Sequence, residues 1–347
     1  MTLVATGLAV SGMKRKSSED VLAGATLLAV VVFIAATTSS DDFLFIPDTA
    51  KPVATKVTVQ GGHEPDNGGG IYFVDVSLRK ARWLERLLPF LQPDGSSLVP
   101  GHAVVAPGQS FAEQRVQARD AMDRSERVAA AVALKAAGYP VKATPTGVLV
   151  DGVAIDVPAA SVLRSGDVIL RARGKPVRTV TELRAALAPL TPGETVALRI
   201  RRNLTTIDRK VEMAGSPGEQ GRAIIGIQAS EEANIVLPRK VTIDLGNIGG
   251  PSAGLPFALQ VYQELGKDVD RGLRVAATGE IQLDGSVTSV GGVKQKTYGV
   301  RQAKADVFLV PAGENAAIAR RYAGGLRVIP VESFRQALQV LKTLPQK

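Results

Sequence analysis

The 347-residue chain has no cysteine. Disulfides, thiolate zinc sites and cysteine nucleophiles are therefore excluded. Histidine is nearly missing as well, with only His63 and His102, which removes most imidazole-based catalysis and metal binding. Aromatic residues make up 4 %, few for the stacking platforms that hold single-stranded nucleic acid. No Gly-x-x-x-x-Gly-Lys-Ser/Thr phosphate loop occurs, so no ATPase module of that kind is present in this sequence. From what remains, neither a cofactor nor a metal is expected.

What is there is ordinary globular material. Hydrophobic residues make up 45 % and charged ones 22 %, which excludes a wholly disordered chain and suffices for one or two cores. The 35 glycines and 20 prolines imply many turns. Lys+Arg exceed Asp+Glu, 42 against 33, for a net charge of +9. Arg199, Arg201, Arg202, Arg209 and Lys210 cluster in sequence. No recognition motif accompanies them, so no nucleic-acid partner is expected. A basic surface near anionic lipid headgroups accounts for the charge equally well.

Residues Val21 to Ala36 carry no charge, and Thr37, Thr38, Ser39 and Ser40 extend the run to Ser40. A helix over 21–40 would span about 30 Å, the thickness of a hydrocarbon core. Lys14, Arg15 and Lys16 precede it and Asp41 and Asp42 follow it. The positive-inside rule then makes residues 1–20 a cytoplasmic N-terminus and puts everything after residue 40 outside. The expected localisation is a single-pass protein of the cell membrane with its folded part extracytoplasmic. A cleaved signal peptide is the alternative, but the apolar run exceeds the usual 7–15 residues of such a segment.

Residues 41–124 read as an extracytoplasmic region of strands and short helices. Val53–Val59 alternates like a half-buried strand, and Ile71–Val76 is aromatic and β-branched. Trp83–Phe90 reads as a short amphipathic helix, and Phe111–Gly138 as the longest helical signal. Residues 125–214 then show short strands and tight turns, with an amphipathic helix at Val180–Leu190. Gly215–Gly221 has the composition of a linker. Residues 222–347 form a last α/β unit.

In that last unit Gly249-Gly250-Pro251-Ser252-Ala253-Gly254 opens into an apolar helix. Small neighbours let a substrate backbone approach Ser252, and free N–H groups at a helix start can hold an oxyanion. Capping alone would also put serine there. A serine nucleophile needs a base, and both histidines lie far upstream. A lysine serves when burial depresses its pKa. Lys294 and Lys296 follow Gly291-Gly292, two apart and about 200° around a helix, so at most one faces inward.

These segments resemble known families. The Leu163-Arg164-Ser165-Gly166-Asp167-Val168-Ile169 turn with Gly174-Lys175-Pro176-Val177 resembles a PDZ domain of the bacterial protease type. That resemblance implies that Gly147, Val148, Leu149 and Val150 receive a peptide carboxylate, with an edge strand beside the Val180 helix accepting the peptide; a plain core strand at 147–150 is the alternative. Gly-Pro-Ser-Ala-Gly at 250–254, Thr-Gly-Glu at 278–280 and Gly-Gly-Val-Lys-Gln-Lys at 291–296 resemble the proteolytic domain of Lon-type peptidases. The resemblance implies a Ser–Lys dyad of Ser252 and Lys296, with Thr278 orienting the lysine and Gly250 and Pro251 shaping the turn. Lys294 is then the outward lysine. Many Lon proteases carry an acid three residues before the serine; here Gly249 stands there. The whole layout resembles the YlbL-like family of membrane-anchored PDZ–Lon proteins. The implied fold is an α+β multidomain chain: a transmembrane helix, a PDZ-like β-rich domain and a Lon-type α/β proteolytic domain. The implied activity is ATP-independent endopeptidase cleavage of unfolded or exposed segments of exported polypeptides. The lipid bilayer is the other partner, and a homo-oligomer is implied because Lon-type domains generally form rings. A catalytically silent, membrane-tethered PDZ scaffold is the rival reading.

Overall fold

The computed structural model describes residues 18–63, 67–104, 111–154, 156–216, 219–244, 246 and 249–346. Helix α1 covers Ser18–Thr37. From Leu22 onward its described side chains are mostly exposed, Leu22, Leu27, Leu28 and Phe33 among them. Its hydroxyls are satisfied within the helix: Thr26 and Thr37 donate to the carbonyls of Leu22 (2.9 Å) and Phe33 (2.8 Å). Among the described residues, no helix is long and apolar enough to cross a membrane. The expected boundary at residue 40 moves back to 37. Ser40 is buried and donates to the Ala81 carbonyl (3.0 Å), so it belongs to the folded body.

Residues 41–124 do not form a region of their own. Strand β1 (Ser39–Pro47) pairs with β5 (Val76–Arg82) and β6 (Ser97–Val99). Between them lie β2 (Lys51–Pro52), β3 (Val57–Val59) and β4 (Gly70–Phe73). The strand expected over Val53–Val59 is shorter, because Ala54–Lys56 winds into a 3₁₀ turn. The apolar run at Ile71–Val76 divides at Val74–Asp75, where the chain passes from one sheet to another. Helix α2 covers only Trp83–Leu87. Pro89 stops it by disfavouring helical backbone at Leu88, and Pro89–Leu91 turns as 3₁₀. After the short α3 (Gly101–Val104) comes α4 (Phe111–Ala136), which ends before Gly138 at φ +92°.

The PDZ-like unit is one antiparallel sheet with a helix against it. Its strands are β7 (Lys142–Val153), β8 (Val168–Ala172), β9 (Lys175–Pro176), β10 (Thr195–Arg202) and β11 (Thr205–Glu212), with α5 (Val180–Leu187) between β9 and β10. Thr179 and Glu182 form a capping box at the start of α5. The expected linker is not one. Ala214–Ser216 (β12) and Glu219–Ile224 (β13) pair as a hairpin, and β14 (Ile227–Val236) then runs the length of β7. The sheet order is β11–β10–β8–β7–β14, so this unit continues past residue 214 to Val236. The basic cluster is largely neutralised here by Arg199–Asp208, Arg201–Glu232 and Arg202–Asp167 ion pairs.

The C-terminal unit begins with β15 (Val241–Ile243), which pairs with β3 from far upstream. Helix α6 (Gly254–Glu264) is followed by β16 (Arg274–Ala277), β17 (Glu280–Ile281), β18 (Val287–Thr288), α7 (Val293–Gln302), β19 (Val307–Pro311), α8 (Glu314–Arg321), β20 (Arg327–Val331) and α9 (Phe334–Thr343). The main sheet has the order β2–β4–β16–β19–β20, parallel from β4 onward. A parallel sheet needs cover on both faces. Val275, Ala277, Val307 and Leu309 face a core with Phe257 and Leu259 of α6 and Leu341 of α9. The alternate residues Ala276, Phe308 and Val310 face Val293 and Val300 of α7 and Ala316 and Ala319 of α8. Helix α4 joins the first of these cores through Met122, Ala129, Val132 and Ala133. The unit expected to start at residue 222 therefore draws on β2–β4 and α4 as well.

Candidate active site

Gly250 adopts φ +97°, and Pro251–Ala253 makes a 3₁₀ turn that leads into α6. Ser252 lies in this turn, partly exposed, and lines a cavity of about 290 Å³. Lys296 lies one turn into α7 and is buried, 4 % exposed. It lines the same cavity, with Asp75, Val76, Met122, Gly249 and Gly292. The geometry separates the two lysines as the 200° spacing requires. Lys294 leans away, its Nζ donating to the Ser96 carbonyl (2.8 Å), so it is half-buried rather than free on the surface.

Thr278 ties the two halves together. Its Oγ1 accepts from Lys296 Nζ (3.2 Å) and donates to the Ser252 carbonyl (3.1 Å). The Gly279 N–H donates to the same carbonyl (2.9 Å). Ser125 Oγ of α4 donates to the Pro251 carbonyl (3.0 Å). The turn bearing Ser252 is thus held from two sides.

Burial pushes the Lys296 ammonium down to about 7, against a smaller opposing pull from the Asp75 carboxylate. A lysine poised there is partly neutral near pH 7 and can accept a proton. Asp75 is displaced upward, chiefly by burial and then by the charge of Asp48. Its Oδ1 is buried without a hydrogen-bond partner, and Lys51 Nζ stands 3.9 Å away. Sequence reasoning missed Asp75, because nothing local marks a carboxylate at the end of β4 as belonging to a site about two hundred residues downstream.

The expected oxyanion donors need correction. The Gly250 N–H is committed to the Ala118 carbonyl of α4 (2.7 Å), and Pro251 has no N–H. The donor left at the head of the turn is the Ser252 N–H. Gly249 has a matching explanation. A Cβ there would lie 2.9 Å from the Ala118 Cβ, so α4 fills the place where many Lon proteases carry an acid.

The peptide-binding residues expected at 147–150 also need correction. Val148, Leu149 and Val150 are buried. They lie on β7, which is paired on one side with β8 and on the other with β14. Interior strands have no backbone donors left for a carboxylate. Gly147 is there for close packing, since a Cβ would meet Val168 Cγ1 at 2.5 Å. The edge strand beside α5 is instead β14, entered through Ile225-Gly226-Ile227 with Gly226 at φ +79°. That apolar–Gly–apolar step was visible in the sequence but was read as the start of the last domain.

Where the PDZ-like sheet meets α4 and the C-terminal unit, Arg124, Asp151, Ser230 and Glu280 line a second, small cavity. Burial raises Asp151 to about 6 and Glu280 to about 7, the latter with help from the Asp151 charge. Among the described residues no cluster of three metal-ligating side chains occurs.

Comparison with known proteins agrees with this division. A family described as PDZ domain matches residues 110–213, and the Lon protease (S16) C-terminal proteolytic domain matches residues 241–343. Lon protease 2 of Bacillus subtilis (strain 168) is 31 % identical over 123 residues, 35 % of this chain and 21 % of the relative. Lon protease of Clostridioides difficile (strain 630) is 45 % identical over 62 residues, 18 % of this chain and 8 % of the relative. The chain thus spans about a fifth or less of these two relatives. The crystal structure of the PDZ domain of an SdrC-like protein from Listeria monocytogenes is 28 % identical, covering 25 % of this chain and 92 % of that one at a TM-score of 0.24.

Proposed function

We propose that this chain, which joins a PDZ domain to a Lon-type serine-peptidase proteolytic domain, is a membrane-tethered, ATP-independent endopeptidase working through a Ser252–Lys296 dyad. The observation that carries the reading is the buried Lys296, lowered to about 7, in one cavity with Ser252 and bridged to its turn by Thr278. Neutral Lys296 Nζ takes the Ser252 hydroxyl proton as Oγ attacks a peptide carbonyl. The Ser252 N–H receives the oxyanion, and Asp75 stabilises the ammonium. Lys296 then returns the proton to the leaving amine. Water, deprotonated by the same lysine, hydrolyses the acyl-enzyme.

Substrates are exposed or unfolded segments. They add as a strand to the free edge of β14 beside α5, which supports capture by the PDZ unit. Exposed apolar side chains along α1, with Lys14, Arg15 and Lys16 before it and Asp41 and Asp42 after it, support a single-pass anchor with the catalytic unit outside. The Lon-type domain supports a homo-oligomer.

One observation favours a second reading, a tethered PDZ scaffold without activity: α4 takes the Gly250 N–H and fills the side of the catalytic turn. The test is cleavage of an unfolded, casein-like protein without ATP by the full chain in detergent or bilayer discs. The expected result is activity that rises from pH 6 to pH 8 and falls at least about 10³-fold in Ser252→Ala and Lys296→Met. Activity untouched by either variant sinks the dyad, and silence in every form favours the scaffold.

A further inference from the structure

Outside α1, exposed large apolar side chains are mostly scattered: Val116, Leu204 and Val236. One stretch is different. Trp83, Leu87, Leu88, Phe90 and Leu91 are 41, 66, 37, 78 and 45 % exposed within nine residues of chain. Such a patch on a folded surface marks a contact. It is rigidly held. Glu85 caps α2 and pairs with Arg79 (2.5 Å), Arg86 pairs with Asp42 (3.2 Å), and Gln92 Nε2 donates to the Glu85 carbonyl (2.9 Å).

The patch sits at a particular height. The Trp83 N–H donates to the Thr38 carbonyl (3.2 Å), which puts the indole level with the end of α1. Counted from Val21 to Thr37 at about 1.5 Å per residue, the apolar run reaches close to the far side of a hydrocarbon core. Thr38 then lies at its boundary, the depth at which Trp is enriched. Arg79, Lys80, Arg82 and Arg86 surround the patch in sequence, and the Arg86 guanidinium lies 5.2 Å over the Trp83 ring. Apolar side chains with flanking cations fit an interface of acyl chains and phosphates.

We propose that Trp83–Leu91 is a foot that rests in the outer leaflet beside the exit of α1. The inference builds on the anchor reading of α1. The occupant is the lipid surface, because α1 and α2 are in contact and end at the same level. The foot is also rooted in the catalytic unit, since the following loop is held by the Lys294–Ser96 bond on α7. Its contact with lipid therefore sets how the catalytic cavity faces the membrane.

Trp83 is the only tryptophan of the chain, so the unaltered protein reports on itself. The full chain is reconstituted into phosphatidylcholine–phosphatidylglycerol vesicles and checked by flotation. Trp83 emission is expected at short wavelength and to fall about two-fold when the lipids carry bromine near the headgroup end of the acyl chain. The Leu87→Glu/Phe90→Glu double variant is expected to lose that quenching while cleaving soluble peptides at the unaltered rate. Vesicles that float the protein with water-like emission, open to iodide and blind to bromine, would overturn the foot and leave the anchor standing. Short-wavelength emission blind to both quenchers would replace lipid with a protein contact, such as a second copy. Protein that does not float with the vesicles overturns the anchor and the foot with it.

Discussion

The PDZ sheet and the proteolytic sheet differ in where they find their strands. The first takes β7 to β14 from one continuous stretch, Lys142 to Val236. The second sets β4 beside β16, so that Gly70–Phe73 pairs with Arg274–Ala277 across about two hundred intervening residues. The PDZ unit lies inside that interval. It is an insertion in the proteolytic fold rather than a bead before it. Closing so long a loop costs little more than closing a short one, because the penalty grows with the logarithm of length. The lesson is that order along the chain and membership of a core are separate matters.

The strongest way to break this comparison is to damage each sheet alone. Phe73→Ala should cost about 3–5 kcal/mol, and the loss should appear in the unfolding of the proteolytic unit and in cleavage. If residues 41–124 were independent, calorimetry would show the proteolytic transition unmoved. Leu198→Ala, fully buried in the PDZ core, should cost about 2–5 kcal/mol in the PDZ transition. It should leave hydrolysis of a short peptide that bypasses capture nearly unchanged.

A smaller effect sharpens the boundary between the two. Glu280 is raised to about 7 in the folded protein from an ordinary value of 4.5. Its proton is held more tightly folded than unfolded, so its contribution is full below pH 4.5 and is lost as pH rises through 7. Glu280→Gln should remove about 1–3 kcal/mol of that loss between pH 5 and pH 8. Melting curves that keep the original slope in the variant would place the pH dependence elsewhere.

The smallest effect concerns Asp75, the upstream segment's contribution to the site. It favours the charged form of Lys296. In Asp75→Asn the lysine should deprotonate more readily, moving the acidic limb of kcat/KM below its original position by less than about one pH unit. The rate at the plateau should fall as the ammonium loses its partner. A profile that superimposes on the unaltered one would make Asp75 a bystander.

What was legible in the sequence was what is local. The Gly-Pro-Ser-Ala-Gly turn, the lysine spacing on α7 and the capped α5 were readable because a few adjacent residues set their geometry. The depressed lysine was inferred from the scarcity of histidine, and burial of Lys296 supplies its cause. The illegible parts depend on remote partners. Val53–Val59 looks like one strand because its valines alternate, yet Val53 bonds Ile71 while only Val57–Val59 pairs with β15. Gly147–Val150 is apolar whether a strand is an edge or an interior one, and the difference was made by β14, read as the opening of another domain. Gly249 looked like a missing acid until Ala118 was seen against it.

Helix α4 touches the catalytic turn through Ala118 and Ser125, and a few turns later it runs into the first PDZ strand. It works as an axle, not a tether. Inserting one residue into its second half would turn the PDZ unit by about 100° about the helix axis while moving it only about 1.5 Å along it. Any exchange of the PDZ unit for another therefore has to preserve the phase of this helix. A spacer of the right length but the wrong phase would aim the captured chain away from Ser252.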